Sequence, residues 1–135
     1  MIPDFDERGY LPPGIHLATL AEVVERFGRG SDVREAQAES LAWLMPMCKS
    51  AGIARCVLNG SFVTDVLEPN DVDCVLLQGP AYRRDSAAAR GLRAGLPFVD
   101  LKVVKQKDFE FLTGVIFASD RDMTLKGLVE VLLDD

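Results

Sequence analysis

The chain has 135 residues, and 48% of them are hydrophobic. This length is sufficient for one hydrophobic core and too short for two ordinary domains. Its net charge of −6 at pH 7 argues against unaided, non-specific binding to nucleic acid, because such binding requires a basic surface. The three cysteines lack metal-binding spacing, no apolar stretch is long enough to cross a membrane, and the N-terminus lacks the basic region of a signal peptide. We therefore expect one cytoplasmic domain over residues 1–135, with free thiols and no membrane partner.

The charges are unevenly distributed along the chain. Residues 83–126 carry nine basic and six acidic side chains, whereas residues 1–82 carry six basic and twelve acidic ones. An anionic ligand such as a nucleoside triphosphate is therefore expected against the more basic segment.

The first 16 residues are rich in Pro and Gly, which predicts an extended N-terminal arm that covers a sheet edge or a partner. His16, the one histidine of the sequence, is predicted to close a turn before a helix rather than to act in catalysis. That helix is predicted to run from its cap Thr19 to Phe27, because Glu22 stands at the capping-box position.

A longer helix is predicted from a cap at Ser31 or Asp32 to about Ser50. Pro46 lies inside this pattern, so we expect it to kink or divide the helix. The apolar run over residues 54–58 then predicts a strand.

Gly60 and Ser61 come directly after that strand. A glycine turn there would let backbone N–H groups and the Ser61 hydroxyl face a phosphate. The alternative is a two-residue hairpin turn at Asn59-Gly60, which is also a common sequence between paired strands.

Three carboxylates follow in apolar surroundings. Asp71 and Asp73 alternate with apolar residues, so a strand over residues 71–78 would place both on one face. Asp100 lies in a second β-rich run, residues 97–104, which would hold it rigidly beside the first pair. Carboxylate oxygens suit Mg²⁺ or Mn²⁺, and a pair of such ions can clamp a transferring phosphoryl group.

Between these strands, residues 83–94 predict a helix rich in alanine and arginine. Its Arg84, Arg90 and Arg93 either contact phosphate or form a solvated charged face.

The end of the chain predicts a hairpin. A short helix and then a strand are expected within residues 109–117, a turn at 119–122, and a final strand within 126–133. Such a hairpin would place Arg121 and Lys126 near its tip.

Gly60-Ser61, the nine-residue gap, Asp71-Val72-Asp73 and the later Val99-Asp100-Leu101 together resemble the signature of the DNA polymerase beta-like nucleotidyltransferase superfamily. The resemblance covers residues 54–104, the expected catalytic core, and residues 2–16 with Lys126-Gly127 resemble a bacterial branch of minimal, single-domain members. It implies an α/β (α+β) fold in which helices flank a small mixed β-sheet that carries three aspartates.

The resemblance also implies roles for individual residues. Asp71 and Asp73 would hold two magnesium ions, and Asp100 would ligate the ion that activates the acceptor. Gly60 and Ser61 would seat the β- and γ-phosphates. Arg121 and Lys126 look like further phosphate contacts, with ordinary surface charge as the open alternative.

The implied activity is transfer of a nucleoside monophosphate from a nucleoside triphosphate such as ATP to a hydroxyl of a protein, an RNA or a small molecule. The chain has no room for a second domain that grips the acceptor, which resembles the minimal members of toxin–antitoxin and defence pairs, so a cognate toxin or antitoxin protein is an implied partner. Two alternatives stay open: a catalytically inactive, antitoxin-like interaction or regulatory module with the same fold, and metal-assisted phosphoester hydrolysis by the same carboxylates.

Overall fold

The computed structural model describes residues 2–133, which contain five strands and four α-helices. The elements are β1 (Gly14–Ala18), α1 (Leu20–Phe27), α2 (Asp32–Ala51), β2 (Ile53–Asn59), β3 (Val72–Gln78), α3 (Ala87–Ala94), β4 (Val99–Val104), α4 (Gln106–Phe111) and β5 (Gly127–Val131). A 3₁₀ turn (Ser61–Val63) follows β2, and a π-helical turn (Leu112–Ile116) continues α4.

The strands form one mixed sheet in the order β1-β5-β2-β3-β4. Strand β2 is antiparallel to both β5 and β3, whereas β1 is parallel to β5 and β3 is parallel to β4. The predicted α/β fold with a mixed sheet flanked by helices is therefore confirmed, and β4 lies at one edge.

The two faces of the sheet are covered differently. Alternate strand residues, such as Cys56 and Leu76, face the main core against α1, α2 and α3. Their neighbours Val57 and Val75 face a smaller cluster around Phe109 of α4. All three thiols are free and buried, as predicted.

The local signals of the first two helices are borne out. Thr19 caps α1 through a capping box with Glu22. Ser31 caps α2, which ends at Gly52 in the left-handed conformation, with φ of 82°. Pro46 lies inside α2 but does not divide it, because the helix is continuous from Asp32 to Ala51.

The predicted arm over residues 1–16 is not irregular throughout, because β1 begins inside it at Gly14. His16 therefore lies in a strand rather than in a turn, and its Nε2 is 2.7 Å from the carbonyl oxygen of Pro12. The arm does cover a sheet edge, since β1 pairs with β5.

The predicted C-terminal hairpin is wrong. Strand β5 already has β1 on one side and β2 on the other, so it has no free edge for a hairpin partner. The segment expected to form that partner stays helical, and the Thr113 hydroxyl donates to the carbonyl oxygen of Phe109. Within residues 2–133, a bridge between Ser119 and Leu125 is what remains of the hairpin. No helix in this part of the chain combines the length and apolar character that a bilayer span requires.

Candidate functional site

Two of the predicted carboxylates lie side by side on the sheet. Asp73 of β3 and Asp100 of β4 are register partners on adjacent parallel strands, so their side chains share one face. Asn59 of β2 is the register partner of Asp73 on its other side. Residues far apart in sequence thus form a polar row across three strands, on the face opposite the main core.

Asp73 has an unfavourable electrostatic environment. Burial raises the pKa of its carboxyl group, and the negative charges of Asp100 and Asp71 raise it further. Lys102 and Lys126 act in the opposite direction. Among residues 2–133, no donor forms a hydrogen bond with the Asp73 carboxylate, so repulsion between these like charges is only partly offset.

The connection from β2 to β3 excludes the two-residue hairpin. It spans residues 60–71 and begins with Gly60, whose φ of 76° and ψ of −163° are accessible essentially to glycine alone. A Cβ atom at this position would overlap the Oδ2 of Asp73. Gly60 therefore lets the Asp73 carboxylate lie directly against the backbone, next to Ser61 at the start of the 3₁₀ turn.

A buried arginine holds this connection in place. Arg34 of α2 is 5% exposed and donates hydrogen bonds to the carbonyl oxygens of Phe62 (2.9 Å), Thr64 (2.7 Å) and Val66 (2.6 Å). It also donates to the carbonyl oxygen of Phe27. Burial lowers its pKa, although its charge persists because arginine titrates far above neutral pH. No sequence pattern predicted this support, since backbone carbonyl partners leave no trace in side-chain patterns.

A cleft of about 130 Å³ opens beside the paired carboxylates. Its polar lining consists of Asp73, Asp100, Asn59 and Lys102, and Phe117 lies at its border. Lys102 was missed by the sequence analysis, although its position two residues after Asp100 on a strand puts both on one face. Asn59 was considered only as a turn residue, whereas it is a buried residue at the end of β2.

Of the other predicted site residues, Asp71 and Lys126 influence the charge of Asp73, whereas Arg121 lies apart from the carboxylates. Asp71 is exposed, immediately before β3, and is close enough to affect the Asp73 charge. Lys126, just before β5, also acts on Asp73. Arg121 is exposed in the loop between the π-helical turn and β5, and within the described chain no contact joins it to the carboxylates.

The carboxylate oxygens of this site are suited to a hard cation, but they are too few to hold one without further ligands. Within residues 2–133, no three His, Cys, Asp or Glu side chains are grouped closely enough to hold a metal ion by themselves. Magnesium, however, is usually held by one or two carboxylates together with water and substrate phosphates rather than by an all-protein cage. Asp73 and Asp100, with Asp71 nearby, fit that mode of binding, and their mutual repulsion would be relieved by a cation.

Comparisons with known proteins give a family but no characterised relative. A search of curated proteins found no match, and a search of solved structures found none either. One family model, described as "Family of unknown function (DUF6932)", matches residues 3–132. The match takes in every element of the fold and all the site residues described above, and the chain therefore belongs to this family.

Proposed function

We propose that this chain is a metal-dependent nucleotidyltransferase with a polymerase beta-like fold, which transfers a nucleoside monophosphate from a nucleoside triphosphate to a hydroxyl acceptor. The observation that supports the proposal is the convergence of two distant motifs. Asp73 is the register partner of Asp100, and its carboxylate lies against Gly60 at the start of the Gly-Ser turn. Ordinary turn chemistry explains neither the pairing of the two carboxylates nor their incomplete charge compensation.

In the proposed reaction, an acceptor hydroxyl oxygen attacks the α-phosphorus of the triphosphate. A bond forms between these two atoms, the bond from the α-phosphorus to the α–β bridging oxygen breaks, and pyrophosphate leaves with that electron pair. Asp100 accepts the proton of the hydroxyl, directly or through water, because it is the exposed carboxylate of the pair. Asp73 is half-buried and is repelled by the neighbouring carboxylates, so its charge is the one that a bound cation would compensate.

Asp71, Asp73 and Asp100 are the residues that would hold magnesium or manganese. When bound, such ions neutralise the developing charge on the phosphoryl oxygens and lower the pKa of the acceptor hydroxyl. The chain's own cations would assist at the triphosphate. Lys102 lines the cleft and Lys126 acts electrostatically on Asp73, so both could attract the phosphates that Ser61 would contact.

The experiment compares the parent chain with Asp100→Asn, which keeps the size of the side chain and removes its charge. Each of the four α-³²P-labelled ribonucleoside triphosphates is incubated with protein, magnesium and cell lysate, and transfer of label to RNA, to protein or to a small molecule is measured. We expect Asp100→Asn to bind the magnesium–nucleotide complex within a few-fold of the parent, while transfer falls about 10²-fold or more, as when one preorganised electrostatic contact is lost.

Asp85→Asn is the matched control, because Asp85 is an exposed loop residue outside the cleft lining and its substitution removes the same charge. It should transfer label at the parental rate. If the parent transfers no label to any acceptor in the lysate, the proposal fails and the inactive interaction module takes its place. Release of free labelled monophosphate without an acceptor would instead indicate phosphoester hydrolysis.

A further inference from the structure

A second and larger groove lies along the edge strand β4, on the side that faces α3. Its volume is about 850 Å³, within the range of ligand-binding pockets. The floor is apolar and includes Leu92 of α3 together with Leu101 and Val103 of β4. Helix α3 therefore does not fully cover this face of β4.

The rim of the groove is basic. Arg84 from the loop before α3, Arg93 from the last turn of α3 and Lys105 just after β4 all line it, and all three are exposed. In the described part of the chain, none of them takes part in a salt bridge. Three separate segments thus bring unpaired cations to one groove, although the chain as a whole carries a net charge of −6.

The groove and the carboxylate cleft meet at one residue. Asp100 lines both of them, and it is the one carboxylate among the residues of the groove. The carboxylate of Asp100 shares the opposite face of the sheet with Asp73, so the end of a chain-like ligand held in the groove would reach it by passing around the exposed edge of β4.

Two further groups define the chemistry of the groove. Tyr82 and Gln78 line it, so an aromatic ring and an amide stand beside the apolar floor. Bases can stack on an aromatic ring or lie on an apolar surface while cations hold the backbone phosphates, which is the usual arrangement for single strands. A peptide of acidic residues alone would pair with the same cations but would leave the ring and the apolar floor without matching groups.

We propose that this groove binds the end of a single-stranded nucleic acid and presents its terminal hydroxyl to Asp100. The role of that hydroxyl as acceptor rests on the proposed nucleotidyltransferase activity, whereas binding of the strand does not. Three cations in one groove would contact the phosphates of a short strand end. Binding of this kind needs a local basic surface only, so it is compatible with the negative net charge of the chain.

Binding is measured by fluorescence anisotropy with labelled oligonucleotides of about ten nucleotides. One RNA and one DNA of matched sequence are used, with EDTA and without nucleoside triphosphate, over a series of salt concentrations. For three phosphate contacts with a single strand, the logarithm of the binding constant should fall with the logarithm of salt concentration with a slope of about −2. Tighter binding of RNA than of DNA would identify RNA as the source of the strand.

The variants Arg84→Ala, Arg93→Ala and Lys105→Ala should each weaken binding and reduce the magnitude of the slope by about 0.7. Arg90→Ala is the matched control. Arg90 is exposed on the same helix as Arg93 and is not among the groove residues, so its loss changes the net charge equally without removing a contact. Since all four side chains are exposed, the variants should fold, and thermal melting checks this.

Oligonucleotide binding and nucleotide transfer can succeed or fail independently, so the groove proposal is tested separately from the nucleotidyltransferase proposal. If the oligonucleotides bind, and groove variants but not Arg90→Ala weaken binding, the groove proposal stands even if no nucleotide is transferred. If Arg90→Ala weakens binding as much as Arg93→Ala, or if neither oligonucleotide binds, the groove proposal is overturned even if label is transferred to a protein. Binding of a poly-glutamate peptide in place of the oligonucleotides, with the same dependence on Arg93, would overturn it in favour of an acidic protein segment.

Discussion

Replacing Asp73 by Asn should stabilise the chain when no divalent cation is present. The structure places Asp73 next to the negative charges of Asp100 and Asp71, in a half-buried position without hydrogen-bond donors in the described chain. Carboxylates on neighbouring strands lie about 5 Å apart, so their repulsion, screened because Asp100 is exposed, is about 1–1.5 kcal/mol. Lys102 and Lys126 offset part of it, which leaves a net cost of about 1 kcal/mol and an expected rise in melting temperature of about 3–5 °C.

The pH dependence follows from the same repulsion. The pKa of Asp73 is raised in the folded chain, so the folded state binds more protons than the unfolded state in the interval between the two pKa values. The stability of the parent therefore falls as pH rises through that interval, and the cost is fully present at neutral pH. The advantage of Asp73→Asn should be largest at pH 7 and should shrink as pH falls toward the ordinary pKa of aspartate.

Thermal melting in EDTA and in magnesium with ATP provides the assay. A ligand that binds only the folded parent stabilises it by mass action, so the order should reverse: Asp73→Asn melts higher in EDTA, and the parent melts higher with magnesium and ATP. Asp4→Asn is the control, because Asp4 is exposed in the arm and carries the same charge. If Asp73→Asn melts below the parent in EDTA, the Asp73 carboxylate is structural and the electrostatic reasoning is refuted.

Three further substitutions test the surroundings of the site. Gly60→Ala should lower stability by about 1–3 kcal/mol in denaturant titrations, because it combines a glycine-only backbone conformation with overlap on the Asp73 carboxylate; an unchanged midpoint would contradict the described turn. Ser61→Ala should weaken nucleotide binding by about 1.5–3 kcal/mol in calorimetry with little effect on melting, and unaltered affinity would remove Ser61 from the phosphate seat. Arg34→Met should cost at least about 3 kcal/mol by leaving several buried carbonyl groups unpaired, whereas exposed Arg29→Met should cost little beyond its surface ion pair with Glu25.

Local signals predicted the elements that carry the site more successfully than the elements around it. Alternation of apolar and acidic residues was sufficient to predict the strands of Asp73 and Asp100, because burial of one strand face leaves a period of two in the sequence. The register that pairs these two residues has no local signal, since 26 residues separate Asp73 from Asp100 in the sequence. The expectation that the two acids lie close together came from the shared character of the two apolar runs and from the family resemblance, and neither of these predicts the register.

The failures at the two ends of the chain have one common cause. Gly14–Ala18 gives a weak strand signal, and its place in the sheet depends on hydrogen bonds to β5, more than 100 positions away. Once β1 occupies that edge, residues 112–116 cannot pair there, even though Val115 and Ile116 have strong strand propensity. These two side chains remain largely exposed on a helical turn. Tertiary pairing therefore overrode local propensity at both places.

Hydrogen bonds between the N-terminal arm and the loop before β5 connect the arm with the candidate site. The Tyr10 hydroxyl donates a hydrogen bond of 2.8 Å to Asp120, and Arg8 donates one of 2.9 Å to Thr124, so the arm fastens the loop that precedes β5 at two points. Lys126 lies at the end of that loop, and its backbone N–H donates to the carbonyl oxygen of Ala118. Because the charge of Lys126 acts on Asp73, the arm fixes the position of a cation that partly offsets the carboxylate repulsion. The arm is therefore part of the framework of the candidate site, and these contacts together with the pairing of β1 and β5 hold a segment rich in proline and glycine on the sheet.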